Sequence, residues 1–118
     1  MDRIRLEGMV FSGHHGVSDE ERSRPQRFIV DIEAERDLHP AGVSDRIEDT
    51  VDYRALRSIA GEVIGGESAH LIEALAERIA ARVLEVPGVT TVSVRVAKRP
   101  ASMQPIAAAA VEIKRSRP

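Results

Sequence analysis

The stretch YRALRSIAGEVIGGESAHLIEALAERIAARVL, residues 53–84, decides the fold. It reads as two amphipathic helices placed end to end. At about 100° per residue, Leu56, Ile59, Ala60 and Val63 share one face from Tyr53 to Ile64. Asp52 is a plausible N-cap, because its short side chain can accept from the first free amides. Gly65-Gly66 stops this helix. A second helix is predicted from about Ala69 to Leu84, with Ser68 as its candidate N-cap and Pro87-Gly88 beyond its end. Its apolar face is Ile72, Leu75, Ala76, Ile79 and Val83.

Two alternating segments precede this pair and two follow it. From Arg3 to Phe11, Ile4, Leu6 and Val10 are predicted to point one way and Arg3, Arg5 and Glu7 the other. Phe28 to Leu38 places Phe28, Val30, Ile32 and Ala34 inward and Asp31, Glu33 and Glu35 outward. Ser12 to Pro25 reads as the loop of a long antiparallel hairpin, and Pro40 to Val51 as an irregular acidic connection. Val89 to Lys98 and Ala107 to Lys114 alternate again. The order β-β-α-α-β-β gives an α+β fold, a four-stranded antiparallel sheet with one face buried under two helices. Its two open edges are sticky unless covered, so the unit is suited to closing a barrel with copies of itself.

The composition narrows the function. A chain of 118 residues is expected to form a single domain, residues 1–118. With no Trp, one Tyr and two Phe, the core must be built from Val, Ile, Leu and Ala. Its 17 basic and 19 acidic residues are well mixed, which argues against nucleic acid or an anionic membrane as partner. There is no cysteine, hence no disulfide, thiolate nucleophile or thiolate metal site. No stretch approaches the roughly 20 apolar residues of a membrane span, and the N-terminus lacks a signal peptide's apolar run. A cytoplasmic protein is expected.

Several residues are candidates for chemistry. Glu73 lies beside the apolar stripe of the second helix, among Ala69, Ala76, Ala80 and Leu84, where a carboxylate is costly unless paired. Placed in the first turn, it could hold a flat, amidine-like ligand edge through two parallel hydrogen bonds. Spacing alone favours the plainer reading, a glutamate that reaches water. Lys98 ends a strand beside a loop, and a lysine partly withdrawn from water can serve as acid or base. A solvated strand-end lysine fits the same spacing. Tyr53 could donate a proton or simply pack at a helix start. Glu20 and Glu21 could accept from ligand hydroxyls or be solvated. His14, His15, His39 and His70 show no helical i,i+4 pair, so no metal site is expected.

Taken together, these segments resemble the bacterial dihydroneopterin aldolase family. The matches are Gly13-His14-His15-Gly16 followed by Glu21, then Asp49-Thr50-Val51-Asp52-Tyr53. Leu71-Ile72-Glu73 with Ala76-Glu77-Arg78-Ile79-Ala80 come next, and then Lys98 after a Val-rich strand. They run in the family's order over nearly the whole chain. The resemblance implies the tunnelling fold, a homo-oligomeric barrel (tetramer or octamer) and active sites between subunits. It implies a lyase splitting 7,8-dihydroneopterin into 6-hydroxymethyl-7,8-dihydropterin and glycolaldehyde in folate biosynthesis. Glu73 would anchor the pterin, helped by the backbone at Ile72. Tyr53 and the backbone near Val51 would cover the ring from an adjacent subunit, Glu21 would contact the hydroxylated side chain, and Lys98 would be the acid/base. The substrate's own C=N bond can take the electrons released on cleavage, so neither a cofactor nor a metal is expected. A 2′-epimerase activity is open to the same residues. The resemblance reverses the weighting at Glu73, whose small neighbours now look like room for a flat ring.

The chain departs from the family at Met103-Gln104-Pro105-Ile106-Ala107-Ala108-Ala109-Ala110, where many members carry a Pro-Ile-Pro run and an acid. Two alternatives stay open. A dihydroneopterin triphosphate epimerase would want a basic cluster near Lys98, but strand alternation sends Arg95 to the opposite face. A non-catalytic pterin-binding protein would keep Glu73 without needing both Lys98 and Tyr53.

Overall fold

The computed structural model describes residues 1–99 and 104–118. Alternation produces the strands as expected: β1 (Arg3–Gly13), β2 (Gln26–Glu35), β3 (Thr91–Lys98) and β4 (Ala109–Ser116) form one antiparallel sheet in the order β1-β2-β3-β4. Phe28, Val30, Ile32 and Ala34 of β2, with Val92, Val94 and Val96 of β3, are buried on one face. Two long helices cover them, α3 (Tyr53–Ile64) and α4 (Ile72–Val83). Two short helices were not anticipated: α1 (Asp19–Arg22) in the hairpin loop and α2 (His39–Ser44) in the acidic connection, followed by a 3₁₀ turn at Ile47–Asp49.

One side chain lies on the opposite face from its expected one. Val10 is 55% exposed on the open face, while Met9 and Phe11 pack toward the core. The cause is a β-bulge between Leu6 and Met9, where Glu7 and Gly8 together oppose Asp31. Gly8 has φ +67, a conformation that glycine adopts without steric cost, and its amide donates to Asp31 Oδ1 at 2.7 Å. One extra residue flips the alternation beyond it.

The second helix also begins later than predicted. Its N-cap is Leu71, which makes no side-chain capping bond, and Ser68 donates to the His14 carbonyl instead. Ala69 cannot join the helix because its backbone is used elsewhere: its amide donates to His15 Nδ1 at 3.0 Å and its carbonyl accepts from Gly16 N at 3.0 Å. Asp52 does cap α3, accepting from the Arg54 amide at 3.0 Å. The last strand runs two residues later than expected at each end, and of the atypical segment Met103 lies outside the described residues, with residues 100–102 before it.

The open face is polar and ion-paired. Arg3 and Arg5 meet Glu33 at 3.1 and 2.9 Å, and Arg95 meets Asp31 at 3.6 Å. The hydrophobic energy therefore resides between sheet and helices. Leu75 of α4 is fully buried there. Leu75→Ala is expected to lower unfolding free energy by about 3 kcal/mol through lost transfer energy and a residual cavity. A urea midpoint at fixed protein concentration measures it, since any assembly makes apparent stability depend on concentration.

Candidate active site

β1 ends at Gly13, and the chain turns through His14-His15-Gly16 into α1. Ser18 and Glu21 form a reciprocal capping box. Ser18 Oγ accepts from the Glu21 amide at 3.1 Å, and Glu21 Oε1 accepts from the Ser18 amide at 3.3 Å. Arg22 fastens the turn by donating to the Gly16 and Val17 carbonyls at 2.8 and 2.6 Å. The Gln26 amide donates to the carbonyls of His15 and Glu21, each at 2.8 Å. Gly16 leaves room for this packing: a Cβ there would lie 2.4 Å from the Glu21 Cβ. The Glu21 carboxylate is thus held before any ligand arrives.

Lys98 closes β3 in register with Phe28. Its Nζ stands 3.5 Å from Glu21 Oε2, with the two side chains 17% and 27% exposed. The Ser18 amide does most to hold the Glu21 carboxyl below the usual glutamate range. Partial burial opposes it, and the Lys98 charge adds to the lowering. The pair is therefore ionised at neutral pH on its acidic side, and the lysine is flanked by an anion that can orient it. An open cleft of about 660 Å³ adjoins it, lined by Val10, Arg24, Gln26, Arg27, Ile29 and Arg99.

α4 starts at the same end of the sheet, because Ala69 is bonded to His15 and Gly16. Glu73 lies in its first turn. It is exposed and has no ion-pair partner among the described residues, in keeping with the plainer reading of its spacing, a glutamate that reaches water. Ile72 is buried in side chain, and its backbone amide belongs to the first turn, which has no intrahelical acceptor.

Tyr53 lies elsewhere. α3 runs from the Arg3 end of the sheet to the Gly13 end, where the Ile64 carbonyl meets His15 Nε2 at 2.7 Å. Tyr53 begins that helix and is 58% exposed. It shares an open cleft of about 700 Å³ with Ile4, Leu38, Ile47 and Val51. Ile4, which lines the cleft with Tyr53, and Phe11, which packs beside Gly61 nearer the other end of α3, are separated by roughly 20 Å of strand rise. One chain thus brings together Glu21 and Lys98, places Glu73 and Ile72 at the same end, and leaves Tyr53 and Val51 at the other.

Sequence reading missed the supports of Glu21: Ser18, Arg22 and Gln26. The Ser18-x-x-Glu21 spacing carried a capping-box signal. The contacts of Arg22 and Gln26 depend on tertiary structure and left no local mark.

Comparison with known proteins places the chain in a family. The dihydroneopterin aldolase family pattern matches residues 4–114. Dihydroneopterin aldolase of Bacillus subtilis is 48% identical over 84 residues, spanning 71% of this chain and 70% of that one. Dihydroneopterin aldolase of Methylorubrum extorquens is 40% identical over 118 residues, with 98% and 91% covered. The fold matches the crystal structure of E. coli dihydroneopterin aldolase in complex with neopterin at TM-score 0.92 and 27% identity, covering 98% of this chain and 100% of that one. The chain belongs to the dihydroneopterin aldolase family and is an aldehyde-lyase of folate biosynthesis.

Proposed function

We propose that each active site is assembled from two copies of the chain, one giving Lys98, Glu21, Glu73 and Ile72 and its neighbour giving Tyr53 and the backbone at Val51. The observation that carries this reading is the separation just described: Lys98 and Glu21 stand 3.5 Å apart at one end, with Tyr53 exposed at the other. The free edges of β1 and β4 suit closure into a barrel of several copies, a tetramer or stacked octamer. The Tyr53 cleft, with Ile4, Leu38 and Ile47 at its wall, suits coverage by a neighbour.

The substrate is 7,8-dihydroneopterin. Glu73 accepts from the pterin's 2-amino group and N3–H as a bidentate pair, with the Ile72 backbone beside it. A base, Lys98 acting directly or through water, takes the proton of the 2′-hydroxyl. The 1′–2′ carbon–carbon bond breaks, its electrons pass into the ring C=N bond, and glycolaldehyde leaves. The resulting enamine is protonated to 6-hydroxymethyl-7,8-dihydropterin. Glu21 orients Lys98 and meets the side-chain hydroxyls, while Tyr53 closes over the ring and helps transfer the proton. Re-addition of glycolaldehyde on the other face gives 2′-epimerisation from the same groups. No helix among the described residues is long and apolar enough to cross a membrane, and the cytoplasm is the compartment this reading assigns.

Subunit complementation tests the shared site. Tyr53→Ala and Lys98→Ala chains are each expected to be nearly inactive, while their mixed oligomers recover activity at roughly a quarter of the sites by random assortment. A mixture no more active than its parents, in oligomers shown by mass to be mixed, would place both residues in one chain's site. A phosphorylated side chain is a second reading, favoured by Arg24, Arg27 and Arg99 lining the cleft beside Lys98. Turnover of dihydroneopterin triphosphate in preference to dihydroneopterin distinguishes it.

A further inference from the structure

His15 is fully buried at 1% exposure, the only buried polar or charged side chain among the described residues. Both of its ring nitrogens are used. Nε2 is 2.7 Å from the Ile64 carbonyl, which can only accept, so Nε2 carries the hydrogen. Nδ1 accepts from the Ala69 amide at 3.0 Å, so it must be bare. The neighbours therefore dictate a neutral imidazole in one tautomer. Its ring also stands edge-on to Phe28, with centroids 5.1 Å apart.

These contacts close a circuit through the site. Ile64 ends α3, and Ala69 lies just before the first turn of α4, which carries Ile72 and Glu73. Phe28 is the register partner of Lys98. The His15 carbonyl shares the Gln26 amide with the carbonyl of Glu21. We infer that His15 is a positioning residue, a latch that fixes the start of α4, and with it Glu73, relative to Glu21 and Lys98. This rests on the site reading proposed above. The latch works only unprotonated, since a hydrogen on Nδ1 would face the Ala69 N–H.

Burial is the main influence holding the imidazole below its ordinary value; the Ile64 carbonyl opposes this, and the charges of Arg78 and His14 reinforce it. Arg78 belongs to α4 and His14 to the same loop, while α3 and β2 present the Ile64 carbonyl and the Phe28 ring, neither titratable. Because the folded-state value is lowered, the neutral latch is intact at neutral pH. It is weakened as pH falls below about 6.5 toward the folded-state value.

The test measures neopterin affinity and imidazole state across pH in wild type, His15→Ala and His15→Asn. The Asn carbonyl can stand near Nδ1 and accept from Ala69, but it does not titrate. Wild type is expected to show the bare-Nδ1 tautomer by nitrogen NMR, with an acid loss of affinity that tracks its protonation. His15→Ala is expected to weaken neopterin binding by about 10- to 100-fold through misplacement of the anchor. His15→Asn is expected to recover much of that affinity and to lose the part of the acid limb that tracks the imidazole. Affinity in His15→Ala equal to wild type, or a wild-type acid limb kept unchanged in His15→Asn, overturns the latch. If His15→Ala does not fold, the Asn profile and the wild-type NMR titration decide the matter alone. Failure of the underlying site reading shows separately, as neopterin affinity unchanged in Glu73→Ala.

Discussion

Lys98→Ala is expected to lower kcat by about 10²- to 10⁴-fold, the range supplied by a positioned general acid or base, and to leave neopterin affinity little changed. The split follows from where Lys98 sits. Its Nζ reaches Glu21 at the mouth of the cleft, whereas the proposed ring anchor is on α4. Removing it deletes a proton-transfer group without removing ground-state binding, so kcat and kcat/KM fall together. Lys98→Arg separates charge from chemistry. A guanidinium keeps the pairing with Glu21 but cannot exchange a proton near neutral pH, so its kcat is also expected to fall. Steady-state release of glycolaldehyde measures both. Undiminished turnover in Lys98→Ala would remove Lys98 from the chemistry.

The folding pattern was legible wherever periodicity governs it. Leu56, Ile59, Ala60 and Val63 of α3, and Ile72, Leu75, Ala76, Ile79 and Val83 of α4, are all buried as their spacing requires. The errors fall where one backbone contact overrides the local pattern. Gly8 adds a residue to β1 and turns Val10 to the other face. Ser68 has the right chemistry for an N-cap, but His15 takes the Ala69 amide and delays the helix. Short elements such as α1 and α2 bury no residue and so leave no apolar period.

The family resemblance named candidate site residues one by one, but their spatial arrangement was not legible. The approach of Glu21 to Lys98 joins residues 77 apart in sequence, and it depends on the capping box and on Gln26. Nothing in the spacing of Tyr53 says that it lies at the far end of the same sheet. That separation carries the two-chain proposal, and it needs the strand register to be known. Glu73 is the converse case. Its position on the helix was read correctly, and its exposure is the plainer of the two readings that its spacing allowed.

Exposure at Glu73 makes its prediction clean. Glu73→Ala is expected to weaken neopterin binding by about 100-fold, the loss of a bidentate, charge-assisted pair. The side chain has no ion-pair partner among the described residues, so the thermal midpoint should barely move and a loss of affinity cannot be assigned to unfolding. KM should rise more than kcat falls, because the pterin edge remote from the cleaved bond is bound in ground state and transition state alike. Glu73→Gln sharpens the test. Its amide keeps one acceptor but turns a donor toward a ligand donor, so it should not restore binding despite matching the glutamate in size. Fluorescence titration with neopterin reads both variants. If Glu73→Ala binds as tightly as wild type, the first turn of α4 is not the anchor, and pterin recognition must rest on the cleft beside Lys98.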